Sequence, residues 1–139
     1  MSRTRLSTVV FDAPDAHGLA DFYMRLLGYV KRAEEPDWVL IGPSFGGTGL
    51  AFETERNYTP PVWPAAPGDQ RMMLHIDIEV DDLAAETARA LSEGARLADF
   101  QPQEDVRVML DPAGHPFCLW VHTHQSRRRR KNHPHEPPH

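Results

Sequence analysis

The sequence predicts an α+β fold in which two βαβββ modules form an eight-stranded half-barrel, or cup, with the helices outside. One observation behind this prediction is a repeated order of strand-like and helix-like stretches, before and after a proline-rich segment at residues 57–71. The other is a nearly constant spacing between equivalent positions in the two halves. It is 67 residues for a strand position and for a helix start, and 66 residues for a helix stop. The pairs are Thr8 and His75, Asp15 and Asp82, and Gly28 and Gly94.

The first half begins with a strand and a helix. LSTVVFDA, residues 6–13, is rich in β-branched residues, which favour strands. The next segment is typical of an amphipathic helix, with Asp15 as its N-cap and Gly28 as its C-terminal stop. Its apolar side chains recur at helical spacing: Leu19, Phe22, Tyr23, Leu26 and Leu27. Three short strand-like stretches bounded by proline or glycine follow, namely YVKRAE, DWVLIG and TGLAFETE.

The second half repeats that order. MLHIDIEV is a predicted strand and DLAAETARALSEGA a predicted helix, because apolar residues alternate in the first and follow a helical period in the second. Three predicted strands complete the half, ARLADF, DVRVML and PFCLWVH, with the turn DPAGHP between the last two.

The length of 139 residues fits one domain with a substantial core. We expect a single domain over residues 1–124, with module one at about 6–56 and module two at about 72–122, joined by the linker 57–71. Residues 125–139 contain the run RRRRK within a segment rich in proline and histidine, with almost no apolar side chains. This composition predicts a disordered tail.

Composition favours a soluble cytoplasmic protein. The chain is 40% hydrophobic and 25% charged, and no apolar run approaches the length of a membrane span. The N-terminal apolar run is short and is followed by no small-residue cleavage site, which argues against secretion. Cys118 is the single cysteine, so no intrachain disulfide can form, as is typical of a reducing compartment.

Charge is unevenly distributed between the body of the chain and its end. Without residues 127–139 the net charge is −9, compared with −5 for the whole sequence. An acidic body repels nucleic-acid phosphates and favours neutral or cationic small ligands, although an ordinary acidic protein is an equal alternative. A basic tail that docks on a polyanion is a weaker hypothesis, which deletion of residues 126–139 would test.

Polar and apolar side chains alternate in the strand HIDIEV. His75, Asp77 and Glu79 would share one face, and the other face would be apolar. In a cup with outer helices the polar face lines the inside. Asp77 could then orient the His75 imidazole or share a substrate proton with it, although a structural hydrogen-bonded pair is equally plausible. Glu53 is a second candidate general base if it is buried, whereas Glu79 is best explained as a solvated strand residue.

Aromatic residues fall on the strands and the linker that would rim a cup, where flat ligands stack and cations interact with ring faces. The candidates are Trp38, Tyr58, Trp63 and Trp120. Trp63 and Trp120 are the first choices, because Trp120 shares a strand face with Cys118. The alternative is that Trp38 and Trp120 are ordinary core residues. Cys118 itself is best explained as a packed core residue, and His115 as a structural residue of the DPAGHP turn.

Three stretches resemble the two modules of the vicinal oxygen chelate superfamily, which includes glyoxalase I, bleomycin-resistance proteins and extradiol dioxygenases. They are VVFDAPDAHGLADFYMRLLGY, LHIDIEVDDLAAETARALSEGA and VRVMLDPAGHPFCLWV. The resemblance extends from about Leu6 to Val121 and identifies the fold more specifically than the activity. It also implies a homodimer.

The resemblance implies a divalent metal held by one residue from the first and one from the last strand of each module. The opening positions are Thr8 and His75. The closing position of module two is Cys118, where metalloenzymes usually have glutamate, and that of module one is Ala51 or Glu53. His75, Glu53 and Cys118 could form an open three-ligand site for Zn, Fe, Mn or Ni. The metal-free form is favoured, so no cofactor is expected.

These observations favour a small-molecule-binding protein that takes an aromatic or cationic ligand in the cup. The alternative is an enzyme, a lyase, isomerase or dioxygenase, that uses a divalent metal. A metal-free version of that enzyme would use His75 with Glu53 or Asp77 as acid and base.

Overall fold

Both halves of the chain pair their first strand in parallel with their last strand. The computed structural model describes residues 3–122, and it divides into two units between Tyr58 and Thr59. Each unit contains one four-stranded mixed sheet and one main helix, in the order βαβββ. The predicted α+β class and both βαβββ modules are therefore confirmed.

The first unit has a sheet in the strand order β1-β4-β3-β2. β1 and β4 are parallel, with Val10 opposite Ala51, and the other pairs are antiparallel. On the sheet face opposite to Val10 and Ala51, Phe11 and Phe52 form a buried aromatic cluster with Tyr23 of the helix. The rings of Tyr23 and Phe52 stack with their centroids 5.7 Å apart. The bounds are β1 Thr8–Ala13, α1 Ala16–Leu27, β2 Val30–Glu35, β3 Trp38–Gly42 and β4 Gly49–Thr54.

The predicted ends of α1 are confirmed. The Asp15 carboxylate accepts a hydrogen bond from the Gly18 backbone N–H at 3.2 Å, which satisfies one of the unpaired donors of the first turn. Gly28 ends the helix with φ 71°, a left-handed conformation that glycine adopts without a side-chain clash, and its N–H donates to the Met24 carbonyl.

The second unit has the equivalent strand order β5-β8-β7-β6. Its parallel pair sets Asp77 opposite Cys118, and Asp82 caps the helix by accepting from the Ala85 N–H at 3.0 Å. Gly94 follows the helix with φ 116°, which agrees with its predicted role as a stop. The bounds are β5 Ile76–Val80, α2 Leu83–Ser92, β6 Arg96–Leu97, β7 Val106–Leu110 and β8 Pro116–Val121.

Strand β6 is shorter than the stretch ARLADF from which it was predicted. Its two residues pair with β7. Beyond them, the side chain of Gln101 makes the hydrogen bonds that a strand ladder would otherwise make. The Gln101 side-chain amide donates to the carbonyls of Ala98 and Val108, and its oxygen accepts from the Val108 N–H at 2.9 Å. A side chain thus supplies the backbone partners that a longer strand would provide.

Residues 59–71 of the predicted linker lie in the second unit. A parallel bridge joins Val62 to Arg71, and the Trp63 ring stacks on Phe100 with the centroids 5.6 Å apart. The segment therefore contributes an aromatic side chain to this unit. The predicted tail, residues 125–139, lies outside the described residues. No helix within residues 3–122 has the length and hydrophobicity needed to cross a membrane.

The turn between β7 and β8 is organised by a buried carboxylate. Only 1% of Asp111 is exposed, and its Oδ1 accepts from the backbone N–H groups of Ala113 and His115. The His115 ring lies against Oδ2 at 2.9 Å. These contacts agree with the structural role predicted for His115, and they position the start of β8.

We predict that Asp111→Ala lowers the free energy of unfolding by about 2–4 kcal/mol, because it leaves two part-buried N–H groups without their acceptor. Urea denaturation followed by tryptophan fluorescence measures this change. Asp111→Asn retains an oxygen acceptor and should lose less stability. The control Asp99→Ala removes an exposed carboxylate and should change stability by less than about 0.5 kcal/mol. Equal losses in Asp111→Ala and Asp99→Ala would contradict this role.

Candidate functional site

One face of the second sheet collects half of the candidate site residues, namely His75, Asp77, Cys118 and Trp120. The parallel register sets Asp77 beside Cys118 and Glu79 beside Trp120. Alternation along the strands places these four side chains on one face and the apolar residues of β5 on the other. We call this surface the polar face, and its members are His75, Asp77, Glu79, Cys118, Trp120 and His122.

Three predicted site residues converge at one end of the polar face. Potential ligand atoms of His75, Asp77 and Cys118 all lie within 4.8 Å of one another. His75 Nε2 is 3.3 Å from Asp77 Oδ1, and the two side chains are 14% and 29% exposed. Asp77 lies on β5, His75 immediately precedes that strand and Cys118 lies in the middle of β8, so the parallel pairing of β5 with β8 is what brings them together. The predicted His75–Asp77 pair is therefore present, whereas its role in chemistry stays a prediction.

The Cys118 thiol also contacts an apolar cluster. Cys118 is 2% exposed and packs with Ala98, Val106 and Val108. The half-buried rings of Trp63 and Trp120 cover this cluster. Cys118 thus occupies the boundary between a polar pair and a hydrophobic patch, and both indoles predicted as the first stacking surfaces lie next to it.

A second histidine–carboxylate pair lies further along the polar face. His122 Nε2 is 2.5 Å from Glu79 Oε2, and the His122 ring meets Trp120 edge-on at 4.4 Å. Sequence analysis did not select His122, because it adjoins the histidine-rich end of the chain. Strand alternation was the available signal, since His122 follows Cys118 and Trp120 at intervals of two.

The internal repeat identifies the equivalent positions in the first unit. The 67-residue spacing equates Val10 with Asp77 and Ala51 with Cys118. The structure agrees, because Val10 lies opposite Ala51 in the first parallel pair just as Asp77 lies opposite Cys118 in the second. Ala51 is therefore the closing position of module one. Glu53 corresponds instead to Trp120, and it is exposed.

A metal centre drawn from both modules does not fit this donor set. Val10 and Ala51 have no donor atoms, and Thr8 offers a hydroxyl group in place of an imidazole. The described residues of the first unit thus lack the strong ligands that the second unit has at the matching places. Participation of Glu53 as a ligand or base stays a prediction, and we assign no catalytic step to such a metal.

The other two aromatic candidates belong to the first unit. Trp38 begins β3, pairs with Glu53 of β4 and is half-buried. Tyr58 is half-buried at the end of the unit, where its N–H donates to the Glu55 carbonyl at 3.3 Å. Both rings are thus partly accessible on their own unit, and their contact with a ligand stays a prediction.

Comparison with known protein families agrees with this architecture. The model of the glyoxalase-like domain matches residues 8–120, which is most of the chain. The chain belongs to the glyoxalase-like domain family. The resemblance to the vicinal oxygen chelate superfamily is thereby confirmed. No curated protein matches the sequence.

Several solved structures share the glyoxalase-like fold at low sequence identity. A glyoxalase/bleomycin resistance protein/dioxygenase family enzyme from Burkholderia phytofirmans PsJN is 16% identical, with a TM-score of 0.65 over 85% of this chain and 98% of that one. An antibiotic-binding protein from Streptomyces sp. CB03234 is 19% identical, with a TM-score of 0.59 over 88% and 99%. The bleomycin-binding protein of Streptomyces verticillus, solved with copper(II)-bleomycin, is 17% identical, with a TM-score of 0.54 over 88% and 100%.

We predict that the Cys118 thiol reacts with dithiobis(nitrobenzoate) at least about 100-fold more slowly in the native protein than in concentrated guanidinium chloride. The reason is that 2% exposure requires local opening before attack. An exposed control thiol, Ser44→Cys in a Cys118→Ala background, should react at the rate of an unfolded chain. If native Cys118 reacted as fast as this control, the buried position of its thiol would be refuted.

Proposed function

We propose that this glyoxalase-like protein binds a small aromatic or cationic molecule on the polar face of its second sheet, without a metal centre shared between the modules. The observation that carries the proposal is the half-buried Trp120 ring, which has the Glu79 carboxylate beside it in the ladder and Asp77 two pairs further along on the same face. An aromatic ring next to two negative charges is a suitable surface for a planar cation.

Stacking and charge supply different parts of the binding free energy. A flat ligand on an indole removes apolar area from water, and a positive charge near the ring face adds an attraction that increases as the site loses water. Trp63 extends this aromatic surface, because it packs against the same cluster around Cys118. The carboxylates of Asp77 and Glu79 would then select cationic ligands over anionic ones.

The structural relatives support the class of function. An antibiotic-binding protein and a bleomycin-binding protein share this fold, so the scaffold is compatible with the capture of small molecules. The same proposal includes a cytoplasmic homodimer, based on the single cysteine and on the resemblance to the superfamily.

An enzymatic function is the second candidate, and the His75–Asp77 contact favours it. A carboxylate 3.3 Å from one imidazole nitrogen can orient the ring while the other nitrogen moves a proton. Such an enzyme would act on a carbonyl-activated substrate as a lyase or isomerase. A dioxygenase would in addition need a redox metal.

Trp120→Leu is the first test of the binding proposal. We expect proflavine, a planar aromatic cation, to quench tryptophan fluorescence saturably in the presence of EDTA. Loss of stacking and of the cation–π interaction should weaken its affinity about 10- to 100-fold in Trp120→Leu. The control Leu91→Ala removes a partly exposed side chain of α2 and should leave the affinity unchanged. Unchanged proflavine affinity in Trp120→Leu would refute the site.

A carboxylate variant separates charge recognition from stacking. Glu79→Gln should weaken the binding of proflavine by about 3- to 10-fold and leave neutral acridine at pH 8 unaffected, because acridine stacks without a positive charge. Isothermal titration calorimetry with both dyes measures the difference. Equal effects on the two dyes would show that Glu79 shapes the surface and does not recognise charge.

His75→Ala distinguishes the binder from the enzyme. A stacking ligand should lose at most a few-fold in affinity, because the imidazole lies beyond Cys118 from the Trp120 ring, whereas an acid–base enzyme should lose nearly all turnover. Binding is measured with proflavine and turnover by mass spectrometry of incubated dicarbonyl compounds. Turnover that disappears in His75→Ala would replace the binding proposal with the enzymatic one.

A further inference from the structure

The two modules differ most in the donor atoms at their equivalent positions. The family arrangement draws metal ligands from both modules, whereas among residues 3–122 three donors meet in one place within the second unit. The geometry points to a site for a thiophilic divalent cation such as Zn²⁺, built within the second unit from Cys118 Sγ, His75 Nε2 and a carboxylate oxygen of Asp77. This inference rests on the three donor atoms and not on the Trp120 ring that carries the ligand proposal, although both proposals use Asp77.

The separation of the donors is close to that of a tetrahedral site. Bond lengths of about 2.0–2.1 Å place two tetrahedral nitrogen or oxygen ligands roughly 3.3 Å apart, and His75 Nε2 and Asp77 Oδ1 are 3.3 Å apart. A thiolate at about 2.3 Å from the ion would lie roughly 3.6 Å from those atoms. All three donors are within 4.8 Å, so the sulfur needs to move by about an ångström at most.

Charge balance favours a divalent cation at this position. The thiolate and carboxylate together have two negative charges and the imidazole binds as a neutral ligand, so a divalent ion makes the group electrically neutral.

The first unit acts as an internal control for the fold. In the same parallel register it has Val10 in place of Asp77 and Ala51 in place of Cys118, and its sheet forms equally well. The polar side chains of the second unit are thus not a requirement of strand pairing. This comparison supports a role in binding for a carboxylate, an imidazole and a thiol that meet at a sheet surface.

The donor types also restrict the ion. A thiolate with an imidazole prefers Zn²⁺, Co²⁺ or Cd²⁺, whereas Mg²⁺ and Ca²⁺ prefer oxygen ligands. With three protein donors the site has an open fourth position. The partly exposed side chains of His75 and Asp77 give that position access to solvent, although Cys118 itself is buried.

Cobalt titration of the full-length, reduced and chelator-treated protein tests this inference. Cys118 is the single cysteine, so a thiolate-to-cobalt charge-transfer band in the near ultraviolet can arise only there. Cobalt bound by histidines near the C-terminus does not contribute to that band, because an imidazole has no sulfur. We expect the band to saturate at one Co²⁺ per chain, to disappear on addition of Zn²⁺ and to persist in excess Mg²⁺.

Three variants and one control assign the ligands. Cys118→Ser should abolish the band, and His75→Ala or Asp77→Asn should raise the cobalt concentration at half-saturation at least about 10-fold. His17→Ala removes a histidine of the first unit, whose Nε2 lies 2.8 Å from the Glu35 carbonyl oxygen, and should change nothing. Cobalt binding by the wild type without a thiolate band, or a band unaffected in both His75→Ala and Asp77→Asn, would overturn the site.

Thermal unfolding gives a second readout that tolerates destabilised variants. Because an ion that binds only the folded state raises the Tm, Zn²⁺ should raise the Tm of the wild type more than that of Cys118→Ser. Comparing the shifts, and not the Tm values, corrects for any loss of stability in the variant. Equal shifts would refute the inference. The proflavine assay is run in EDTA, so failure of either proposal leaves the other one testable.

Discussion

The parallel pairing of the first and last strand is the constraint on which the candidate site depends. It joins residues that lie far apart in the sequence, so its cost in chain entropy must be offset by the apolar face that it buries. In the second unit Phe117 and Leu119 are fully buried, and the alternating Cys118 and Trp120 are therefore directed to the opposite face. A slip of one residue would exchange these two sets, so burial fixes the register and the register positions the site.

The duplicated modules separate what the fold requires from what a site requires. Both use an aspartate N-cap, a βαβββ order and the same parallel register, and both bury large apolar residues on one face. On the other face they differ, with Val10 and Ala51 in one module and Asp77 and Cys118 in the other. Since the shared features are sufficient for the sheets, the divergent face is where function is to be sought.

Prediction from sequence succeeded where the signal is local or repeats. The caps at Asp15 and Asp82 follow from side-chain chemistry, and strand alternation grouped His75 with Asp77. The 67-residue spacing, applied to Cys118, would also have selected Ala51 over Glu53. Individual side-chain contacts were beyond reach, because no periodicity shows that Gln101 completes a strand ladder or that His122 meets Glu79. Such contacts depend on the folded backbone, which composition and spacing do not define.

Cation binding and ligand binding on the polar face are thermodynamically coupled if both occur. Asp77 lies next to Cys118 and two ladder pairs from Trp120, so a divalent ion held by Asp77 and Cys118 would neutralise charge that otherwise attracts a cationic ligand. The coupling is reciprocal, because a bound organic cation must lower the affinity of the site for the ion by the same factor. For a ligand with a free oxygen or nitrogen donor the coupling has the opposite sign. The bound ion would strengthen its binding, because the donor can occupy the open coordination position. If the polar face takes both an ion and a small molecule, the charge state of His75, Asp77 and Cys118 would decide which class of small molecule is preferred.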